Sequence, residues 1–408
     1  MNYQYHQLKN GIRLVHKYAD SNVAHCGLII NTGSRDETKI ENGIAHFIEH
    51  CIFKGTVKRK SYYILNRLDS VGGDLNAYTT KEETTVYASF LKEYYSRTLE
   101  LLADIIFNST FPAKELKKEK EVVIEEINSY KDNPSELIFD EFEQQIFKDH
   151  SIGGMILGTP SNVRKFESKH ITNFIKHNYN TDEMVISSVG KINFTQFVKL
   201  CERYFDDFET NNRIKQRNPF INYQPSIISK NKKTFQSHCL IGNVAYSIKD
   251  ERKTGLTLLT NLLGGPASNS RLSIALREKN GLSYNVESSY TPYSDTGLIS
   301  IYFGTDNETY NKALQAVMKE LEKLRNIKLS SNQLFNAKKQ ITGQIAIAYE
   351  SNLNEMLSIG KSCLVYNKVD TIEQLCAKIK AITAEELIEI ANQVFDPNQL
   401  SILSYKSK

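Results

Sequence analysis

The stretch "GIAHFIEHCIFKG" (Gly43–Gly55) brings two histidines and a glutamate within one short span: His46, Glu49 and His50. At about 100° per residue, Ile44, Phe47, Ile48, Cys51 and Ile52 form one apolar stripe, and the three polar residues gather on the opposite face. Imidazoles at i and i+4 reach one ion from a single helix face. Glu49, next to His50, is placed to reach a water at that ion and has the chemistry of a general base. A catalytic zinc takes three protein ligands and keeps one position open, so two imidazoles demand a third ligand from elsewhere. Cys51 directly follows His50, but the helical wheel puts its thiol on the apolar stripe, so it reads as core.

The segment "KKEKEVVIEEINSYKDNP" supplies candidates for that ligand: Glu119, Glu121, Glu125 and Glu126, on a helix whose buried stripe is Leu116, Val123, Ile124 and Ile127. Glu119 and Glu126 stand seven residues apart and share a face. Spacing does not choose among the four.

The elements that must hold these residues occur twice. From His25, "HCGLIINTGSRDETKIENGIAHFIEH" reads as a strand, a charged loop and a Gly opening a helix; from His238, "HCLIGNVAYSIKDERKTGLTLLTNLLGG" repeats that order. The step from Cys26 to Gly43 is 17 residues and that from Cys239 to Gly255 is 16. "VGGDLNAYTT" and "KNGLSYNVESS" follow as Gly-led strands, and "YYSRTLELLADIIFNSTF" and "YNKALQAVMKELEKLRNI" as amphipathic helices. This predicts a duplicated α+β unit. The second copy carries Leu258, Leu259 and Asn261 where the first carries His46, Phe47 and Glu49, so only one copy has the polar trio. An Asn-, Lys- and Pro-rich stretch without helical periodicity divides them, which predicts domains at 1–210 and 231–408 joined by a linker at 211–230.

Composition narrows the function classes. The chain has 408 residues, 40% hydrophobic and 24% charged, with 51 basic against 47 acidic side chains and a net charge of +4. So small an excess, with no aromatic-interleaved basic stripe, gives no reason to expect nucleic acid. Six scattered cysteines without a C-x-x-C pair read as reduced core thiols. The N-terminal "MNYQYHQLKNGIRLVHKY" alternates like a hairpin rather than a signal peptide, and no apolar run is long enough to span a bilayer. These features predict a cytoplasmic protein with no membrane partner.

H-x-x-E-H is the inverzincin signature, and the chain resembles the pitrilysin family of zinc peptidases, which includes insulin-degrading enzyme and the mitochondrial processing peptidase. In that family the third zinc ligand is a Glu well past the second His, and here Glu126 stands 76 residues after His50. The resemblance makes Glu119 the supporting carboxylate. "VGGDLNAYTTKEETTVY" is similar to the family's G-G-x-x-N-A-x-T strand, which implies that Asn76 and Ala77 lie on the edge that receives a peptide. "REKNGLSY" is similar to its R-x-x-x-G-L-x-Y segment, which implies substrate-side roles for Arg277 and Tyr284. "NLLGGPASNSRL" is Gly-rich but lacks the Lys-Ser/Thr of a phosphate loop, which excludes nucleotide binding.

The resemblance implies two homologous α/β-roll domains, each an antiparallel sheet packed with helices, forming half of a peptidasome clamshell. It implies a zinc endopeptidase of the bacterial type similar to the processing peptidase, with Zn²⁺ on His46, His50 and Glu126 and Glu49 as base. It also implies a peptide substrate and a homodimer. Two other readings come with the family: a non-catalytic scaffold of the respiratory-complex core type, and a site-specific presequence protease. The presence of every ligand and of the base opposes the first.

Overall fold

The computed structural model describes residues 3–407. Contacts divide the chain into two compact units, each built on one sheet. The first takes the chain up to Asn128 together with Gly154–Arg217 and Ala346–Thr371; the second takes Ser129–Gly153, Asn218–Ile345 and the chain from Ile372 onward.

The first sheet has six strands in the order β1-β2-β6-β3-β5-β4, formed by β1 (Gln4–Gln7), β2 (Arg13–Tyr18), β3 (Val23–Ile30), β4 (Asp74–Thr79), β5 (Thr84–Leu91) and β6 (Met184–Gly190). The alternating N-terminus forms the expected hairpin, β1 pairing antiparallel with β2. β2 and β6 are parallel, and the remaining neighbours are antiparallel. The second sheet runs β7-β11-β8-β10-β9, from β7 (Ile227–Lys232), β8 (Ser237–Ala245), β9 (Val286–Pro292), β10 (Gly297–Thr305) and β11 (Ser401–Ser407). Its single parallel pair is β7 with β11. With β1 set aside, the two orders and their one parallel junction coincide strand for strand, so the duplication read from the sequence is present in the topology.

The central strands of each sheet are buried on both faces. In the first unit Leu14, Leu28, Val86 and Ile186 pack on one side against Phe47, Leu102 and Phe197 of its helices. Their neighbours Val15, Ile29, Val185 and Val189 point the other way, since strand side chains alternate faces. That second face is closed by Met356, Ile359 and Cys363 of the helix Asn352–Tyr366. In the second unit Leu240, Tyr302 and Leu403 are closed in the same manner by Ile138, Phe142 and Ile146 of the helix Pro134–Ile146.

Each sheet is thus covered on one face by a helix from the other half of the sequence. A division at 211–230 cuts the chain once, whereas the compact units interleave through these two helices. Periodicity shows that a helix has an apolar face but not which sheet that face meets. Within 211–230, Arg213 and Arg217 bind Asp36 of the first unit, each at 2.7 Å, while β7 is already an edge strand of the second sheet. Among the described residues no helix is long and apolar enough to cross a membrane.

Candidate metal centre

The motif residues form an eight-residue helix, Ile44–Cys51, in the first unit. Ile44, Phe47, Ile48 and Cys51 are buried in the core, so Cys51 is a core thiol as expected. Gly43 opens the helix with φ of +97°, a left-handed conformation that favours glycine. Its Cβ-less backbone also meets Gly158, where an added Cβ would come within 2.8 Å of the Gly158 Cα. Glu119 and Glu126 lie on a second helix, Ala113–Lys131, whose buried residues Leu116, Val123, Ile124 and Ile127 are those the periodicity predicted.

These two helices bring His46, His50 and Glu126 together, with one ligand atom from each lying within 4.8 Å of the others. The Oε2 of Glu126 stands 3.5 Å from His50 Nε2 and 3.8 Å from His46 Nε2. Three ligands about 2.1 Å from a tetrahedral ion stand roughly 3.4 Å apart, so this donor set fits zinc. Burial, aided by the neighbouring His50, lowers His46 to about 4 and keeps it in the neutral, metal-ligating form. Burial acts on His50 in the same direction, but Glu119 and Glu126 outweigh it and raise this imidazole to about 9, so a metal there competes with a proton.

Glu119 is buried, and it accepts from His50 Nδ1 at 3.0 Å and from Lys54 at 2.7 Å. Burial raises its carboxyl, and the His50 and Lys54 hydrogen bonds more than offset this and leave it lowered. The arrangement fixes which ring nitrogen of His50 faces Glu126.

Glu49 has a different environment. Burial raises its carboxyl, and Thr79 at the end of β4 donates to its Oε2 at 2.6 Å. The Thr79 bond offsets only part of the rise from burial, and a carboxylate with a raised pKa has the property a general base needs. β4 is an outer strand of its sheet, paired with β5 alone. Asn76 lies exposed on β4 and donates to Asp74 at 2.6 Å, while Ala77 is half-buried against the core. Arg277 and Tyr284 belong to the second unit, where with Gly264, Gly265 and Ser288 they line a cavity of about 340 Å³. Arg277 donates to Glu278 at 2.8 Å, and Tyr284 is 86% exposed.

Three contributors escaped the sequence reading. Thr79 falls inside a motif already singled out, but its pairing with Glu49 depends on how β4 meets the helix. Lys54 is one turn past His50, within reach of any carboxylate that supports it. Glu37 accepts from Gly43 N and Ala45 N, each at 2.9 Å, and no local pattern pairs a Glu with amides six and eight residues on.

Residues 13–160 match the insulinase family of peptidases, Peptidase family M16, and residues 165–341 match the Peptidase M16 inactive domain. The chain belongs to this family. An uncharacterized zinc protease of Bacillus subtilis, YmxG, is 35% identical over 390 residues, covering 95% of this chain and 94% of its own. An uncharacterized zinc protease of Rickettsia bellii is 32% identical over 409 residues, covering 98% and 97%. The fold is shared with a Helicobacter pylori protease at a TM-score of 0.90 and 21% identity, each chain covered to 99%. It is shared too with a Pseudomonas fluorescens M16 inactive-domain structure, at 0.93 and 19%, covering 100% of this chain and 98% of that one.

Proposed function

We propose that this chain is a zinc-dependent endopeptidase acting on peptides or unfolded segments. The observation that carries the reading is the convergence of His46, His50 and Glu126 beside a half-buried Glu49 whose carboxyl is raised by desolvation. His46, His50 and Glu126 would hold the ion, with Glu119 and Lys54 orienting His50. Zinc, when bound, polarises the scissile carbonyl and acidifies the attacking water. Glu49 takes the proton from that water and later delivers it to the leaving amine. The Thr79 hydrogen bond fixes the rotamer of the Glu49 carboxylate.

The open edge of β4 suits a substrate added as an extended strand, held by backbone hydrogen bonds beside Asn76 and Ala77. Arg277 and Tyr284 carry donors suited to a substrate carbonyl and its developing oxyanion, and a homodimer would let a second copy supply them. A non-catalytic scaffold would have no use for two imidazoles and a carboxylate whose donor atoms converge with zinc-like spacing. In the test, a quenched fluorescent peptide is cleaved by the purified chain loaded with zinc and by Glu49→Gln. Cleavage that falls by roughly 10²–10⁴-fold in a variant still holding zinc supports the reading. A zinc-loaded wild type that cleaves nothing contradicts it.

A further inference from the structure

Everything the site needs from one helix is carried on eight residues, Ile44–Cys51. A helix this short is not stable alone, and its first N–H groups require partners from outside it. The usual partner is a side chain at the residue that opens the helix, but here that residue is Gly43, which has none.

Glu37 supplies what Gly43 lacks. Its Oε1 accepts from Ala45 N at 2.9 Å, and its Oε2 accepts from Gly43 N at 2.9 Å and from the Asn42 side-chain amide at 3.1 Å. Asn42 in turn donates to the Met155 carbonyl at 2.9 Å, which ties the carboxylate to the loop against which Gly43 packs. Burial raises the Glu37 carboxyl to about 8, while the three converging donors favour its charged form. When ionised, the carboxylate also sits at the helix end that stabilises an anion.

The buried stripe Ile44, Phe47, Ile48 and Cys51 sets the helix's rotation coarsely, and a single capping bond at its end would refine that little. Two bonds from one rigid carboxylate to amides two residues apart restrict that rotation. The second amide belongs to Ala45, directly before His46. A small rotation there swings the His46 and His50 nitrogens away from Glu126, against which they stand at 3.8 and 3.5 Å.

We propose that Glu37 is a positioning residue for the metal site, setting the rotation of the motif helix so that both imidazoles converge on Glu126. The inference rests on the zinc reading given above. Asp36 is an internal control: it is buried next in sequence, but its carboxylate is taken by Arg213, Arg217 and the Gly33 amide and does not touch the motif helix.

The experiment compares the full-length wild type with Glu37→Gln, Glu37→Asp and Asp36→Asn. Zinc affinity is measured by competition with a chromogenic chelator, the visible spectrum is recorded after cobalt substitution, and thermal midpoints and peptide kinetics are followed. Glu37→Gln keeps the shape but turns an NH₂ toward one of the amides. It is expected to weaken zinc binding about 10–100-fold, to alter the cobalt bands and to lower kcat with KM little changed. Glu37→Asp, which keeps the charge on a shorter arm, should fall between, and it decides the matter if Glu37→Gln does not fold. Asp36→Asn should lower the thermal midpoint and leave zinc affinity and the cobalt bands unchanged. Folded Glu37 variants with wild-type zinc affinity and spectrum overturn the proposal, as does an Asp36→Asn variant with the same metal defect. A wild type that binds no zinc defeats the zinc reading itself and this inference with it, an outcome distinct from both.

Discussion

Glu119 receives His50 Nδ1 on one carboxylate oxygen at 3.0 Å and the Lys54 ammonium on the other at 2.7 Å. One buried carboxylate therefore orients an imidazole and is itself held by a cation one turn further along the chain. Replacing Glu119 by Gln should weaken zinc binding about 10–100-fold. Lys54→Met should produce a smaller loss, because Glu119 would keep His50 but lose its own restraint. Chelator competition on the two purified variants checks both; equal affinities across wild type and variants would contradict this role for Glu119.

Thr79 makes a prediction about pH. Its hydroxyl stabilises the charged form of Glu49 and so opposes the upward pull of burial. In the proposed mechanism Glu49 must be deprotonated to accept a proton, so activity is expected to rise with pH through its pKa. Thr79→Val removes the donor, which should move the acidic limb of kcat/KM to higher pH. An unmoved limb in a folded, active variant would show that another group sets it.

Stability should also depend on pH through His16. This imidazole is fully buried against Phe194 and Phe197, and its Nε2 donates to the Ile192 carbonyl at 3.2 Å. Burial lowers its pKa from 6.5 to about 4. The unfolded chain therefore binds a proton below pH 6.5 that the folded chain refuses until about pH 4, so stability falls as pH drops through that window. The contribution lost is about 3 kcal/mol. Denaturant midpoints at pH 7 and 5 for wild type and His16→Phe should show a shallower pH dependence in the variant; parallel curves would remove His16 as the cause.

The helix Asn352–Tyr366 approaches its sheet closely at Gly360, where an added Cβ would lie 2.3 Å from Ile29 Cδ1 and 2.8 Å from Ser187 Cβ. Gly360→Val should therefore destabilise the first unit by about 1–3 kcal/mol. A fragment ending at Arg217 lacks this helix and leaves Val15, Ile29, Val185 and Val189 uncovered. It should be insoluble alone and be rescued by adding a peptide of residues 346–371. A soluble, cooperatively folded fragment would mean that the exchanged helix is dispensable.

Legibility in the sequence followed the range of the interactions. The motif helix, the acidic helix and their apolar stripes depend on local periodicity, and the structure has them at Ile44–Cys51 and Ala113–Lys131. The choice of Glu126 among Glu119, Glu121, Glu125 and Glu126 came from resemblance, because spacing alone does not choose among the four. The helix exchange depends on which of several apolar faces meet. Glu355 illustrates it: an acidic residue of an ordinary amphipathic segment proves to be buried and paired with Lys17 at 2.6 Å across 338 positions. Glu37 and Thr79 were missed for the same reason, since a carboxylate that caps a helix from outside and a hydroxyl that holds a base leave no repeating pattern.

The central claim is that His46, His50 and Glu126 form a zinc site that cuts peptides. The most direct measurement is the metal content of the purified chain beside Glu126→Gln, with cleavage of a quenched peptide followed on the same samples. The predicted result is about one zinc per chain in the wild type, lost together with cleavage in the variant. A wild type that holds no zinc and stays inactive after zinc is added would contradict the claim.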